Sequence, residues 1–491
     1  MPKKNNTAAR RVLIENADWI LTMDESRTRY RHADLVWEGH AIREIGTNLK
    51  SKYESQGLLF SRILDAAGKI LLPGFVNAHM HTWQSLIRNF KAIQGLKLEP
   101  WLTVMYEIYK DLQSEVALAG AYVSLGDCLK TGCTTSNDLW YPHPAGVSGL
   151  VDAEIQAAQE LGIRFHPIRS YHSVPSEVVP VEMAETAEQV LADAERLVKL
   201  YHDPGEFSMC RVGIGPSIAQ YDTEEILRAT IDFAEKHDVM VHGHLAESQN
   251  EYNYTQEHFG CTPVEWFRQH DLLGRRFYYA HCIHLDERDV QTLAETGTGV
   301  VSCPISNMYL SSGSCQVRNL MDAGVERIGL GVDGAASSNS SNMMEEMRVA
   351  YLLNRLTHEE NPCTAGDILY MATAGGAKAL GRQDIGILAP GKAADLALLD
   401  WSSLSYAGGR NDPVDCIVLS GDARMVDTVV VNGEIVVEKG RLLRINEAQK
   451  SACAEQVSQE LLRRASSRIP SLRKELSVWP SGSNLKECCH E

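Results

Sequence analysis

The chain lacks any run of 18 apolar residues, so no membrane-spanning helix is expected. Its 12 cysteines form no C-x-x-C pair, and only Cys488 and Cys489 are adjacent. That scatter suits free thiols in a reducing cytoplasm better than a disulfide framework. Positive charge is also short. Against 64 acidic residues stand 47 Lys and Arg, for a net charge of −17. Such a balance opposes a phosphate backbone, and no nucleic-acid partner is expected. The opening "MPKKNNTAARR" is basic but has no apolar core, so it does not read as a signal peptide. No internal repeat and no low-complexity block occurs.

What is present is ordinary globular material, with 44% hydrophobic and 23% charged residues. The 491 residues exceed one compact domain, and a large barrel-like unit beside a smaller one is the natural division. Short alternating apolar runs mark both ends of the chain. "VLIENADWILTM" reads as a strand pair, followed by "ADLVWEGHAIREIG". Strand-rich segments return at 387–400 and 426–443, where Asn432-Gly433 signals a two-residue hairpin turn. A polar helical segment is expected over 447–468, and the last stretch, "WPSGSNLKECCHE", is expected to be disordered.

The middle of the chain alternates. Eight strand-like runs occur at 70–77, 134–140, 164–169, 210–216, 239–244, 277–281, 297–303 and 327–333. Amphipathic stretches separate them, such as 222–237, which Asp222 or Thr223 would cap. This pattern predicts an α/β fold, a (β/α)8 TIM barrel, whose active site forms at the C-terminal strand ends. The long segments after the first and third runs are placed to cover that mouth.

Four of the eight runs end in metal-type or acid/base groups. The first ends in His79-Met80-His81. Residues i and i+2 of a strand point the same way, so both imidazoles leave one tip together. The fifth ends "VHGHLAE", with His242, His244 and Glu247; the sixth "AHCIH", with His281 and His284; the eighth "GLGVDG", with Asp333. His242 and His284 also read as satisfied core or supporting histidines. Glu247 alone would pass for a solvated carboxylate, and Asp333 for a turn cap.

The pieces "PGFVNAHMH", "HLAE", "AHCIHL", "GLGVDG", "ATAGGAKALG" and "IGILAPGKAADLALLD" together resemble the amidohydrolase superfamily, in its metal-dependent aminohydrolase branch. The resemblance implies one divalent metal held by His79, His81, His244 and Asp333, zinc first and iron second. It implies a small β-sandwich built from both termini, with 1–68 and 385–445 flanking a barrel at 69–384 and a tail at 446–491. The chemistry agrees with that mapping. Three imidazoles and a carboxylate suit Zn²⁺ with a place left for water. Asp333 can take a proton, Glu247 can protonate a ring nitrogen, and His281 can polarise the hydroxide or stabilise a developing oxyanion. The fourth run, "CRVGIGPSIAQ", has no lysine to bridge a second metal.

The finer resemblance, carried by "WQSLIR", "HLAESQNEYNYTQEHFG", "CPISNMYLSSG" and "GVDGAASSNSSNM", is to deaminases of oxopurines and pterins, of the 8-oxoguanine and isoxanthopterin type. Triazine hydrolases and S-adenosylhomocysteine deaminases share the frame and stand as alternatives. A non-catalytic metal-binding assembly protein is the remote one, since such proteins lose ligands that this chain keeps. Expected partners are a small heterocyclic substrate and further copies of the chain, because many relatives of this kind are dimers or tetramers. For the ring itself, Trp83, Gln84 and Arg169 are the candidate contacts; Arg169, ending the third run, could donate to a ring carbonyl.

Overall fold

A computed structural model describes residues 10–476. The basic N-terminal segment, the tail expected to be disordered, and Cys488 and Cys489 lie outside the described residues. Eight parallel strands close into a barrel: Phe75–Asn77, Cys133–Trp140, Arg164–Tyr171, Gly213–Pro216, Val241–Leu245, Phe277–His281, Gly299–Ser302 and Ile328–Leu330. Each predicted run overlaps one of them. Helices fill the connections. In Glu224–His237, Ile226, Leu227, Ile231 and Ala234 are buried while the charged positions face out. The cap is Thr223, whose hydroxyl accepts from Ile226 N–H.

The first run, 70–77, divides at Gly74. Lys69–Pro73 pairs with Leu396–Asp400 and with Trp19 and Ile20, in a second sheet. Only Phe75–Asn77 enters the barrel. Both halves are buried, so apolar pattern alone could not show the change of sheet. A Cβ on Gly74 would lie 2.0 Å from Thr134 Cγ2, so only glycine permits this crossing.

The second sheet has nine strands and draws on both ends of the chain. Its own apolar core includes Val12, Ile14, Leu35 and Trp37 from the N-terminal side and Leu396, Leu398 and Val430 from the C-terminal side. The ends fold over each other, with Trp37 Nε1 donating to Gly433 O at 3.1 Å. The hairpin falls at Asn432-Gly433, both in the left-handed region (φ 51° and 82°). "VLIENADWILTM" is one bulged strand, Arg11–Leu21, rather than the predicted pair. Asn16 tolerates φ 65° at the bulge, and its N–H is held by Asp34 Oδ1 at 3.0 Å.

The helical segment runs Glu447–Ala465, with a second helix at Pro470–Leu476. Both clamp the long connection after the first barrel strand. Ser458 Oγ donates to Leu86 O at 2.5 Å, and Glu475 accepts from Lys91 N–H at 3.0 Å. Among the described residues, ten cysteines are free, and no helix is long and apolar enough to cross a membrane.

Candidate active site

The two imidazoles of His79 and His81 leave the first strand tip with ring centroids 4.8 Å apart, and His244 and His281 join them at 5.1 Å and 5.6 Å from His79. The eighth strand brings Asp333 against them, its Oδ1 3.4 Å from His79 Nε2 and 3.3 Å from His81 Nε2. Close passage is possible because residue 331 is glycine: a Cβ there would sit 2.7 Å from His79 Cβ. All five side chains are buried.

The hydrogen bonds fix which nitrogen of each ring is free. His81 Nδ1 lies 2.8 Å from Leu139 O, and His244 Nδ1 lies 2.9 Å from Ser217 O. Carbonyls only accept, so both Nδ1 atoms carry the proton. The two Nε2 lone pairs then face each other at 3.3 Å. His242 Nδ1 donates to Tyr278 O at 2.8 Å, leaving its Nε2 to accept from His79 Nδ1 at 2.9 Å. His79 Nε2 is therefore also a bare lone pair, buried and, among the described residues, without a hydrogen-bond partner. Burial holds these rings neutral, pushing His79 down and His81 to about 3. Three converging lone pairs beside a carboxylate repel one another unless a cation lies among them. The atoms of His79, His81 and His244, and those of His79, His281 and Asp333, lie within 4.8 Å of one another, so these groups could hold a metal ion. His242 sits behind them as a support. His284 points away, its Nε2 3.0 Å from Ser312 O.

Below this cluster, the Thr82 N–H donates to Asp138 Oδ1 at 2.6 Å and its hydroxyl to Glu154. Burial pushes Asp138 up to about 7 and Glu154 well above the carboxylate range. The pair anchors the turn that follows His81.

Glu247 and His281 face each other across the site, Oε2 to Nε2 3.5 Å. Burial first, then the charges of Asp333, Glu251 and Glu99, push the Glu247 carboxyl well above its ordinary value. Asp333 goes the other way. Burial opposes its charge, and with the imidazoles neutral it is a cation among His79, His81 and His244 that would hold it ionised. One carboxyl kept neutral beside one kept ionised is an acid and a base in one site. Three of the carrying residues have left-handed backbone, Ala246 (φ 53°), His281 (φ 76°) and Asp333 (φ 59°), which is costly outside glycine and clusters at functional loops.

A cavity of about 420 Å³ opens above these groups. The long connections after the first and third strands wall it with Leu98, Trp101 and Tyr106 and with the segment from Val174 to Val179. Of the predicted ring contacts, only Gln84 reaches it. Gln84 Nε2 donates to Tyr109 Oη at 3.1 Å, and its Oε1 is buried without a partner.

Trp83 and Arg169 do not line the cavity. Trp83 packs behind His81, with its ring 4.3 Å from Trp140 and 5.2 Å from His81. Arg169 is 2% exposed and turned outward into the helix layer, where Nε meets Asp193 at 2.8 Å and Nη2 meets Glu185 at 2.6 Å. The predicted third run stopped at 169, but the strand continues to Tyr171, so the rim residue is His172. His172 and Tyr106, 2.5 Å apart between Nε2 and Oη, line the cavity with Tyr141 and Ser217, none of them singled out from sequence. The phase of "IRSYHS" carried that signal, had its strand been read two residues longer.

Arg169→Met is accordingly expected to destabilise the fold and leave substrate preference alone. Removing one partner of a buried ion pair costs about 3–5 kcal/mol, and the low end applies because Asp193 is 31% exposed. Thermal melting and the kcat/KM ratio for two substrates check this; an unchanged melting temperature with an altered ratio would return Arg169 to the substrate.

A parallel barrel with four imidazoles and two oppositely tuned carboxylates at its C-terminal rim defines a class, the metal-assisted barrel hydrolases. The amidohydrolase family model matches residues 70–436, and the chain belongs to that family. It is 38% identical over 372 residues to the 8-oxoguanine deaminase of Pseudomonas aeruginosa, covering 75% of this chain and 82% of that protein. It is 32% identical over 458 residues to the hydroxydechloroatrazine ethylaminohydrolase of Pseudomonas sp. strain ADP, covering 90% and 94%. The solved atrazine chlorohydrolase of Arthrobacter aurescens TC1, complexed with zinc, superposes with a TM-score of 0.86 at 26% identity, covering 91% of this chain and all of that one. The protein is a hydrolase acting on C–N bonds.

Proposed function

We propose that this enzyme deaminates an uncharged, amino-substituted N-heterocycle of the oxopurine or pterin type, the 8-oxoguanine or isoxanthopterin class, releasing ammonia, with one zinc ion per chain. The oxopurine or pterin type rests on the likeness to the 8-oxoguanine deaminase, and one observation carries the neutrality of the ring. The cavity above the catalytic groups is lined by Glu99, Glu177, Glu247, Glu251 and Asp333, and by no Lys or Arg among the described residues. A substrate carboxylate or phosphate would find no cationic side chain there and several carboxyl groups. A neutral ring rich in N–H donors would find acceptors and aromatic faces. This weighs against S-adenosylhomocysteine, whose carboxylate would be unpaired. The free thiols support a reducing compartment such as the cytoplasm.

His79, His81 and His244 would hold the metal through Nε2, with Asp333 beside them. When bound, the metal supplies a water of near-neutral pKa as nucleophile. The remaining work belongs to the chain. Asp333, held ionised, takes the proton released at the oxygen. Glu247, held neutral, donates to the ring nitrogen next to the amino-bearing carbon and so makes that carbon electrophilic. His281, whose Nδ1 donates to Asn307 Oδ1 at 2.8 Å, keeps Nε2 as an acceptor that orients the O–H of the nucleophile. Asp333 then passes its proton to the amino group and the hydroxyl returns one to Glu247, so that the C=O bond forms as the C–N bond breaks and ammonia leaves.

An ammonia-release screen tests this. The panel is 8-oxoguanine, isoxanthopterin, guanine, cytosine, aminotriazines, pterin-6-carboxylate and S-adenosylhomocysteine. Neutral bicyclic oxo-rings are expected to give the highest kcat/KM. Preference for either carboxylate-bearing compound would overturn the neutral-ring reading, and preference for an aminotriazine would move the enzyme to the triazine hydrolases.

A further inference from the structure

The geometry points to Glu251 as the positioning residue of the proton-transfer group, an inference that rests on the reading of Glu247 above. Glu251 lies on the helix Gln249–Phe259, four residues beyond Glu247, and is 3% exposed. Its carboxylate folds back on the chain. Oε1 accepts the Ala246 N–H and Oε2 the Glu247 N–H, each at 2.8 Å.

This is not ordinary helix capping. Ser248 is the N-cap, and its hydroxyl accepts the Glu251 N–H at 3.1 Å. A glutamate at that third helical position normally returns to the N-cap amide. Here the carboxylate reaches past it, to the two amides that lead into the catalytic side chain. Both its oxygens are committed there.

The reach has a consequence because of what Glu247 lacks. Among the described residues, its carboxyl comes within ion-pair distance only of His281 Nε2, at 3.5 Å. Its direction is therefore set by its backbone. That backbone is strained, since Ala246 is at φ 53°, a conformation an alanine does not hold unaided. Glu251 pins it from one side. From the other, Leu245 O and Ala246 O accept from Cys282 N–H and Ile283 N–H, both at 2.9 Å, on the turn that carries His281. The loops of the two proton-handling groups are thus one bonded unit, and among the described residues Glu251 is the side chain that holds the Ala246 and Glu247 amides. The same unit reaches the cavity wall, as Ser248 Oγ donates to Glu99 at 2.8 Å.

The test is a double-mutant cycle with Glu251→Gln and Glu247→Gln, measured on 8-oxoguanine or the ring the screen selects. The amide keeps one acceptor and turns an NH2 toward the second N–H, so one bond is lost and one contact becomes repulsive. Misplacement by about 1 Å costs up to roughly 10²-fold. Glu251→Gln is expected to lower kcat by about 10- to 100-fold, with metal content unchanged and KM within about threefold. Added to Glu247→Gln, it should cost less than about twofold more, because the group it positions is already gone. Hydrogen exchange at Ala246 and Glu247 should quicken, while Val241–Leu245 stays protected.

Wild-type kcat in Glu251→Gln beside an inactive Glu247→Gln would overturn the positioning role. So would losses that multiply in the double variant, or unchanged exchange at the two amides. An active Glu247→Gln would instead overturn the reading of Glu247, and the exchange result would still judge Glu251. Should Glu251→Gln fail to fold, Glu251→Asp keeps the charge one methylene short. It should show the same kcat-only loss at smaller size, and wild-type kcat in it would overturn the inference.

Discussion

Glu247→Gln is expected to bind its metal normally and to lose about 10²–10⁴-fold in kcat. The substitution is nearly isosteric, and the side chain is buried, so shape and packing are kept. What disappears is a transferable proton. Glu247 is suited to carry one because burial, reinforced by Asp333, Glu251 and Glu99, holds its carboxyl neutral where an exposed glutamate would be ionised. Protonation of a ring nitrogen is needed in the transition state more than in the bound ground state. The loss should therefore fall on kcat and kcat/KM alike, with KM little changed. Elemental analysis and ammonia release check the two halves separately. Near-normal turnover would assign the proton to another group, with His281 the nearest candidate at 3.5 Å.

Residue identity and strand-end position were enough to bring His79, His81, His244, Glu247, His281 and Asp333 together before any coordinate was known. Metal and proton chemistry needs particular side chains, and a barrel puts strand ends on one rim. The barrel was legible for a related reason, since fully buried parallel strands read as apolar runs separated by amphipathic helices. The failures share a cause as well. Trp83 and Arg169 were placed by proximity in sequence to the rim, but what decides exposure there is strand phase. Arg169 falls on the outward-facing parity of its strand and meets Asp193, while His172, of the opposite parity and just past the strand end at Tyr171, is the rim residue. The division of 70–77 was hidden because both sheets bury that segment equally. Glu251 was invisible because its role depends on which amides it reaches, and a glutamate four residues past another looks like an ordinary helix face.

Removing the metal is expected to abolish turnover, and adding zinc to restore it. The argument comes from the tautomers rather than from the number of histidines. His81 and His244 each spend their Nδ1 proton on a backbone carbonyl, Leu139 O and Ser217 O. His79 spends its own on His242, whose second nitrogen is fixed by Tyr278 O. Each Nε2 is left as a lone pair aimed inward, and among the described residues His79 Nε2 has no hydrogen-bond partner. A fold that needed these histidines only for packing would pair those atoms, since a buried unpaired acceptor costs about 1–3 kcal/mol. Asp333 adds a carboxylate within 3.4 Å of two of them. Burial keeps the imidazoles neutral, so protons do not compete for the site near pH 7. Binding should also stabilise the fold, by about 4 kcal/mol at a free metal concentration 1,000 times Kd. Chelation should therefore lower the melting temperature along with activity, and zinc should return both. Protein that is fully active yet holds no metal by elemental analysis would end this account of the site.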